Sequence, residues 1–193
     1  MKLNIISKVI KLVTALIRIK TKEYMYKAKL LFKQNTFVGR NVTIDPEFNW
    51  LITIGNNSVI TNGVTILAHD GSLSRHTGLT KLGRVTIGSN TFIGVKSIIM
   101  PGVNIGNNVI IGAGSIVTKD IPDNSIATGN PAEIFGSVFE YVEKHKEKML
   151  FSPVFQHRGL ISKKLISKME IEWKEGIAYI GSNNKTSKKP QEK

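Results

Sequence analysis

The 193-residue chain contains no cysteine, which excludes disulfide bonds, thiol nucleophiles and cysteine-ligated zinc sites and is compatible with a reducing cytosol. Aromatic residues make up only 7% of the chain, so a core built mainly on aromatic packing is not expected. Histidine is also scarce. The four histidines are His69, His76, His145 and His157, and the last two lie in a charged C-terminal region where we interpret them as surface or packing residues.

Acidic residues are too few to balance the basic ones, and the imbalance is confined to the two ends of the chain. Residues 1–40 contain ten Lys/Arg and one acid, residues 41–140 contain five and seven, and residues 141–193 contain twelve and six. The net charge of +13 therefore says little about the chemistry of the middle segment. Because aromatics are few and no nucleic-acid motif is present, we expect a solvated basic surface and no nucleic-acid partner.

The middle of the chain repeats every six residues, with an aliphatic residue opening each block. These positions are Ile54, Ile60, Ile66, Ile87, Ile93, Ile99, Ile105, Ile111 and Val117, preceded by a less regular pair, Val38 and Ile44. Neither a helix of period 3.6 nor a strand of period 2 keeps one apolar residue at every sixth position. A coil with three short sides per turn does, with the aliphatic residues inward and Gly or Asn at the corners. The sequence therefore predicts an all-β solenoid whose coils stack about 4.8 Å apart.

The segments flanking the repeat are predicted to be helical. In residues 1–36, apolar side chains spaced at i, i+3, i+4 and i+7 indicate an amphipathic basic helix. Its longest charge-free run, Leu12–Ile17, is far short of the ~20 residues that span a bilayer, and a cleavable secretion signal is disfavoured. We favour packing on the first coil, with docking on an anionic membrane surface as the alternative. Residues 136–181 form a predicted helical extension, with a helix near Ser137–Leu150, and residues 182–193 a disordered tail.

The repeat is interrupted once, and two of the histidines lie at the interruption. Ile66 and Ile87 are 21 residues apart, so the coil must extrude a loop of about 15 extra residues, roughly 70–84. His69 stands at the base of this loop and His76 lies on it. A neutral imidazole can act as a general base on a hydroxyl if its other nitrogen is held by an acceptor. A backbone carbonyl, Asp70 or Asn62 are the candidates, and a purely structural corner histidine is an equal alternative.

The densest part of the repeat, IGSNTFIGVKSIIMPGVNIGNNVIIGAGSIVTKDIP from Ile87, followed by TGNPAEIF, resembles the hexapeptide-repeat acyltransferases. The nearest members are sugar and polysaccharide O-acetyltransferases of the galactoside and maltose acetyltransferase type. The resemblance implies a left-handed parallel β-helix over residues 37–135. It further implies acetyl-CoA as co-substrate, no metal, and a homotrimer with its sites between subunits. A histidine just before an extruded loop is the family's base, which makes His69 the catalytic candidate.

The resemblance also assigns the residues around the two substrates. The donor, acetyl-CoA, is expected at Gly94, Val95, Ala113, Thr118 and Lys119. Lys119 is the most informative of these because the corners need glycine anyway. The acceptor, a saccharide of surface-polysaccharide biosynthesis, is expected at Asn62, Asp70 and His76. Related sugar acetyltransferases carry asparagine at the position of Gly63, one place from Asn62. The expected location is the cytoplasm, with the inner face of the membrane as a further possibility.

Three other functions are compatible with a solenoid of this kind. A γ-class carbonic anhydrase shares the fold but needs three histidine ligands, and only His69 and His76 lie near the solenoid. An N-acetyltransferase would act on an amino sugar nucleotide instead of a hydroxyl. A non-catalytic scaffold would use the flat faces for assembly and would not bind acetyl-CoA.

Overall fold

A computed structural model describes residues 33–157 and 161–182. The chain divides into two compact units after Val138. The predicted amphipathic helix, except for residues 33–36, lies outside the described residues, as does the predicted tail beyond Ser182. Within the described ranges, no helix is long and apolar enough to cross a bilayer.

The first unit is built from short strands that stack into three sheets, one for each side of a coil. The first sheet contains β1 (Phe37–Val38), β4 (Val59–Ile60), β9 (Phe92–Ile93), β12 (Ile110–Ile111), β14 (Ser125–Gly129) and β15 (Ala132–Ser137). The second contains β2 (Thr43–Ile44), β5 (Thr65–Ile66), β10 (Ile98–Ile99) and β13 (Ile116–Val117). The third contains β3 (Ile52–Ile54), β8 (Val85–Ile87) and β11 (Asn104–Ile105). All pairs are parallel except β14 with β15.

The predicted aliphatic ladder is confirmed as the core of this solenoid. All nine block-opening residues from Ile54 to Val117 are at most 1% exposed. Strand register places each one above its counterpart in the next coil, as Ile66, Ile99 and Val117 show. Fully burying one such side chain contributes about 1.5–3 kcal/mol relative to leaving it exposed. The periodic sequence thus stabilises a continuous column with no aromatic residue at its centre.

The corners use asparagine where the backbone turns through the left-handed region. Six of them have φ between 53° and 60°: Asn35, Asn41, Asn57, Asn90, Asn108 and Asn124. Asparagine tolerates this conformation better than most residues. Side chains in the same column bond to each other, with Nδ2 of Asn108 donating to Oδ1 of Asn124 at 2.8 Å. This confirms the predicted role of Asn at the tight corners.

The corner at which the chain passes from the second sheet to the third carries extra residues in each of the first two coils. In the first coil it carries a 3-10 turn, Asn49–Leu51, and Ile44 and Ile54 are ten residues apart instead of six. In the second coil the extruded segment forms a hairpin, in which β6 (His69–Asp70) pairs antiparallel with β7 (Lys81–Leu82). A single helical turn, α1 (Ser74–Thr77), lies at its tip. The two insertions therefore occupy the same corner in adjacent coils.

The ends of the solenoid differ from the predicted boundaries. The backbone N–H of Lys33 already donates to the Ile54 carbonyl, so solenoid pairing begins before residue 37. At the other end, β15 continues to Ser137, past the predicted limit at residue 135. The reason is an antiparallel return of β15 along β14, which extends the first sheet beyond the six-residue repeat.

The second unit contains more than the predicted helices. It comprises α2 (Val138–Met149, whose first residue belongs to the solenoid unit), β16 (Val154–His157), α3 (Lys163–Glu172) and β17 (Tyr179–Ser182). The helix expected near Ser137–Leu150 matches α2. The parallel pair of β16 and β17 was not predicted, and Ser182, assigned from the sequence to the tail, ends a strand. Pairing between segments some 25 residues apart leaves no local periodic signal.

Candidate active site

His69 is held by a buried carboxylate from the coil below. Its Nδ1 lies 2.5 Å from Oδ2 of Asp45, whose side chain is fully buried, while the imidazole keeps 30% of its surface exposed. An ionised carboxylate can only accept hydrogen bonds, so the imidazole proton must sit on Nδ1. The other ring nitrogen, Nε2, is then left as an acceptor. The arrangement presents the tautomer that a general base requires.

Asp45 is surrounded by hydrogen-bond donors that stabilise its charged form. Oδ2 also accepts from the backbone N–H of Ala68 at 2.9 Å, and Oδ1 accepts from those of Glu47 and Phe48 at 3.1 and 3.0 Å. Burial by itself raises the pKa of Asp45, but these three backbone donors and the His69 side chain together outweigh it and lower the pKa below its ordinary value. Asp45 therefore stays ionised at neutral pH.

Parallel stacking explains why these two residues meet. Ile44 pairs with Ile66, and the backbone N–H of Asp45 donates to the Ile66 carbonyl at 2.9 Å. Both chains then leave the second sheet at the same corner, where Asp45 turns inward beneath His69. The two residues are 24 positions apart in sequence. The stacked pair Ile44 and Ile66 is 22 residues apart instead of the 18 of a regular coil, because the corner of the first coil has four extra residues.

The three partners predicted for the imidazole are wrong. Oδ1 of Asp70 accepts the backbone N–H of Ser72 at 2.9 Å, and this bond is the main cause of its lowered pKa. Oδ1 of Asn62 accepts the backbone N–H of Arg40 at 2.7 Å, where it closes a corner. The Nδ1 partner is a carboxylate and not a backbone carbonyl. One signal could have indicated Asp45, since it directly follows a block-opening isoleucine at the other irregular corner.

Two aromatic side chains that were not predicted from the sequence, Phe48 and Trp50, form a pair beside the imidazole. The Phe48 ring lies 5.0 Å from the His69 ring, centroid to centroid, and 5.4 Å from the Trp50 ring. Phe48 is partly buried and packs on the core, whereas Trp50 is 62% exposed. His76, in contrast, lies on the exposed turn α1 at the tip of the hairpin. Among the described residues, no hydrogen bond, ion pair or ring contact joins it to His69.

The residues predicted for the donor lie at the two edges of the second sheet. Gly94, Val95 and Ala113 are at the corner that enters this sheet, while Thr118 and Lys119 are at the corner that leaves it. The latter corner also holds His69, two coil spacings away, or about 10 Å along the axis. The structure thus places Thr118 and Lys119 at the same corner as His69 and the other three across the sheet.

Packing alone accounts for Gly94. A Cβ atom at this position would lie 2.5 Å from the backbone nitrogen of Ala113 in the next coil. Such a contact is too short for any side chain, so glycine is needed whether or not a ligand binds there. Val95, by comparison, is 42% exposed and Ala113 is exposed.

Lys119 lines a recess at the last coil. The recess has a volume of about 310 Å³ and is bounded by Lys119, Asp120, Ile121, Pro131, Ala132, Glu133 and Ile134. It lies between the corner after β13 and the turn that joins β14 to β15, which contains the cis Asn130–Pro131 bond of the GNPA stretch. An exposed lysine at its edge can meet an anionic group such as a phosphate.

The described residues include no cluster of three or more His, Asp or Glu side chains able to hold a metal ion. Both carboxylate oxygens of Asp45, the carboxylate that contacts His69, accept hydrogen bonds from protein N–H groups. The site is therefore a histidine and carboxylate pair beside an aromatic surface.

Comparison with known proteins identifies the family. The model of the hexapeptide repeat of succinyl-transferase matches residues 34–68 and 84–119. CapG of Staphylococcus aureus is 52% identical over 99 residues, covering 49% of this chain and 58% of CapG. YvoF of Bacillus subtilis (strain 168) is 33% identical over 128 residues, covering 65% of this chain and 72% of YvoF. Galactoside O-acetyltransferase of Escherichia coli (strain K12) is 38% identical over 120 residues, covering 60% and 57%.

The six-residue repeat matches the family model over two stretches, and a relative named a putative acetyltransferase, YvoF, is similar over 72% of its own length. The chain belongs to the hexapeptide-repeat acyltransferase family, and its solenoid is a left-handed parallel β-helix. It spans 58% of CapG and 57% of the galactoside enzyme, which is less than two thirds of either protein.

Proposed function

We propose that this chain transfers the acetyl group of acetyl-CoA to a hydroxyl of a saccharide, with His69 as general base. The observation that carries the proposal is the pairing of His69 with Asp45, which leaves Nε2 as an acceptor on a part-exposed ring. Named relatives support the substrate class, since one of them is a galactoside O-acetyltransferase. Surface-polysaccharide biosynthesis in the cytoplasm is the setting that we infer.

The proposed reaction proceeds by direct attack. Nε2 of His69 accepts the proton of the acceptor hydroxyl while its oxygen forms a bond to the thioester carbonyl carbon. The tetrahedral intermediate then breaks its carbon–sulfur bond, and the departing thiolate takes the proton from the imidazolium. The products are the acetyl ester and free coenzyme A. Asp45 is a positioning residue here, because it holds Nδ1–H and stabilises the positive charge that develops on the ring.

The donor is proposed to lie along the second sheet. Val95, Ala113 and Thr118 offer small or exposed groups beside which a pantetheine arm can pass, and Lys119 at its recess can neutralise a phosphate. Gly94 contributes backbone only.

Asn62, Asp70 and His76 remain the proposed contacts to the acceptor. Oδ1 of Asn62 and Oδ1 of Asp70 already accept backbone N–H groups, so these two side chains would contact the acceptor through their other polar atom.

We further propose that the active form is a homotrimer with each donor site shared between two copies. The outward side of the first sheet supports self-association, because Phe37, Val59, Phe92 and Ile110 stand in register as one apolar column. Phe37 and Phe92 are 58% and 42% exposed. Surface of this kind is commonly covered by a partner. Light scattering that finds only monomer at micromolar concentration would contradict this part of the proposal.

The test of the function is acetyl-CoA consumption with a panel of sugars and oligosaccharides, followed by release of free thiol. We expect His69→Ala to lower turnover by about 100-fold or more while fold and association are kept. His145→Asn is the matched control, because His145 belongs to the second unit, where its Nδ1 forms a hydrogen bond with the Tyr179 hydroxyl. Equal turnover in wild type and His69→Ala would show that His69 is not the general base.

The same assay separates the alternatives. Acetylation of amino sugar nucleotides in preference to hydroxyl acceptors would favour an N-acetyltransferase. A scaffold would neither turn over acetyl-CoA nor gain stability from it, whereas a ligand present at 100 times its dissociation constant stabilises a folded protein by about 2.7 kcal/mol.

A further inference from the structure

Trp50 is a large apolar side chain that the solenoid leaves in water. It is 62% exposed, although its neighbours Phe48 and Leu51 both pack against the core. The indole N–H of Trp173 donates to the Gly176 carbonyl, whereas no group among the described residues accepts a hydrogen bond from the indole N–H of Trp50. Folding therefore gains little from this tryptophan, and an exposed indole of this kind is typical of binding surfaces.

The exposed indole is connected to the imidazole by one intervening ring. Phe48 lies 5.4 Å from Trp50 and 5.0 Å from His69, and both pairs are tilted by 51°. These distances fall within the range of favourable aromatic contacts. An aromatic surface therefore runs continuously from the proposed base out to solvent.

The turn that carries Trp50 is fixed by the same carboxylate that fixes His69. Oδ1 of Asp45 accepts the backbone N–H groups of Glu47 and Phe48, and Oδ2 accepts from His69. The fold itself does not need this turn. In the later coils the same corner closes without it, from Ile99 to Ile105 and from Val117 to Ile121.

We propose that Trp50 is a specificity-determining residue that stacks its indole face on the C–H face of a pyranose ring of the acceptor. Stacking would hold the saccharide beside Phe48 while one of its hydroxyls reaches Nε2 of His69. An indole suits this ligand, because its electron-rich face attracts the weakly positive C–H groups of a sugar ring. The inference rests on the proposed function and names the element that recognises its acceptor.

The kinetic test uses Trp50→Leu and Trp50→Phe in the full chain, with acetyl-CoA and a panel of methyl glycosides, disaccharides and polysaccharide fragments. We expect Trp50→Leu to raise the KM for the saccharide by about tenfold and to leave the KM for acetyl-CoA unchanged. Trp50→Phe should recover most of the loss, since it keeps an aromatic face. Trp173→Phe, which alters the chain's other tryptophan, is the matched control and should match wild type.

A binding test without turnover uses the fluorescence of Trp50 in the Trp173→Phe background, where it is the sole indole. Saccharides that are acetylated should shift or quench its emission in the absence of acetyl-CoA. If wild type acetylates a saccharide but the Trp50→Leu KM and this emission stay unchanged, the inference fails by itself. If Trp50→Leu dissociates the oligomer instead, the indole serves self-association and the inference is wrong. If wild type acetylates no saccharide, the proposed function fails and the inference fails with it.

Discussion

Asp45→Asn is the substitution that most directly tests how the site is built. The change keeps the shape of the side chain but replaces one acceptor oxygen with an NH₂ donor. Four hydrogen bonds converge on the two carboxylate oxygens, two on each. In the place of Oδ1 the NH₂ group would lose the bonds from both Glu47 and Phe48. In the place of Oδ2 it loses only the bond from the Ala68 N–H, because the imidazole can accept from it, so we expect this orientation.

The stability cost follows from that count. A hydrogen bond to a charged acceptor contributes about 1.5–3 kcal/mol, so losing one should lower the free energy of unfolding by about that amount. For a chain of this size, about 2–4 °C of Tm is lost per kcal/mol, so Tm should fall by roughly 3–12 °C. Calorimetry and urea unfolding measure both quantities.

The catalytic cost has a separate cause. An NH₂ group facing Nδ1 would donate to it and move the ring proton to Nε2, which then cannot accept a proton from the acceptor. We expect kcat/KM to fall by about 100-fold or more at a temperature where the variant is still folded by circular dichroism. Asp123→Asn is the matched control, since Asp123 also accepts a backbone N–H, from Asn107, but far from His69. Activity and Tm of Asp45→Asn both close to wild type would refute the assigned role.

Two further predictions concern charge. The pKa of Asp45 is lower in the folded chain than in the unfolded chain, where it is about 3.9. The stability that the ionised form contributes is therefore complete above the unfolded pKa and is lost as pH falls through the folded pKa. The difference in unfolding free energy between wild type and Asp45→Asn should shrink from pH 7 to pH 3, and a constant difference would contradict this prediction. Lys119→Gln should raise the KM for acetyl-CoA by about fivefold without changing kcat, as expected for one exposed contact to phosphate. Lys148→Gln in the second unit should have no effect, and an unchanged KM in Lys119→Gln would remove this residue from the donor site.

Much of the fold could be predicted because the solenoid is a local, repetitive structure. Each coil contacts only its neighbours, so the position of every inward residue is written in the spacing of the isoleucines. The same spacing located the extruded hairpin and placed His69 at its base. The parallel pairing of β16 with β17 escaped prediction, because strands joined across a helix carry no common period.

The candidate site was predictable only in part. The histidine and Lys119 stand out by residue type and position, whereas the glycine at position 94 reflects the tight approach of the next coil. Asp70 and Asn62 were reasonable partners for the imidazole on sequence proximity. Their own backbone contacts satisfy them instead, at Ser72 and Arg40.

The sequence by itself determined the solenoid, its isoleucine core, the place where the coil opens and the histidine at that opening, since all of these depend on spacing along the chain. Only the tertiary structure decided what lies beneath the histidine. The first coil has four extra residues at its corner, so Ile44 stacks under Ile66 at a spacing of 22 residues instead of 18, and this stacking brings Asp45 beneath His69. The same irregular corner places Phe48 and Trp50 beside the imidazole, because a buried carboxylate with several donors around it organises both the turn and the ring.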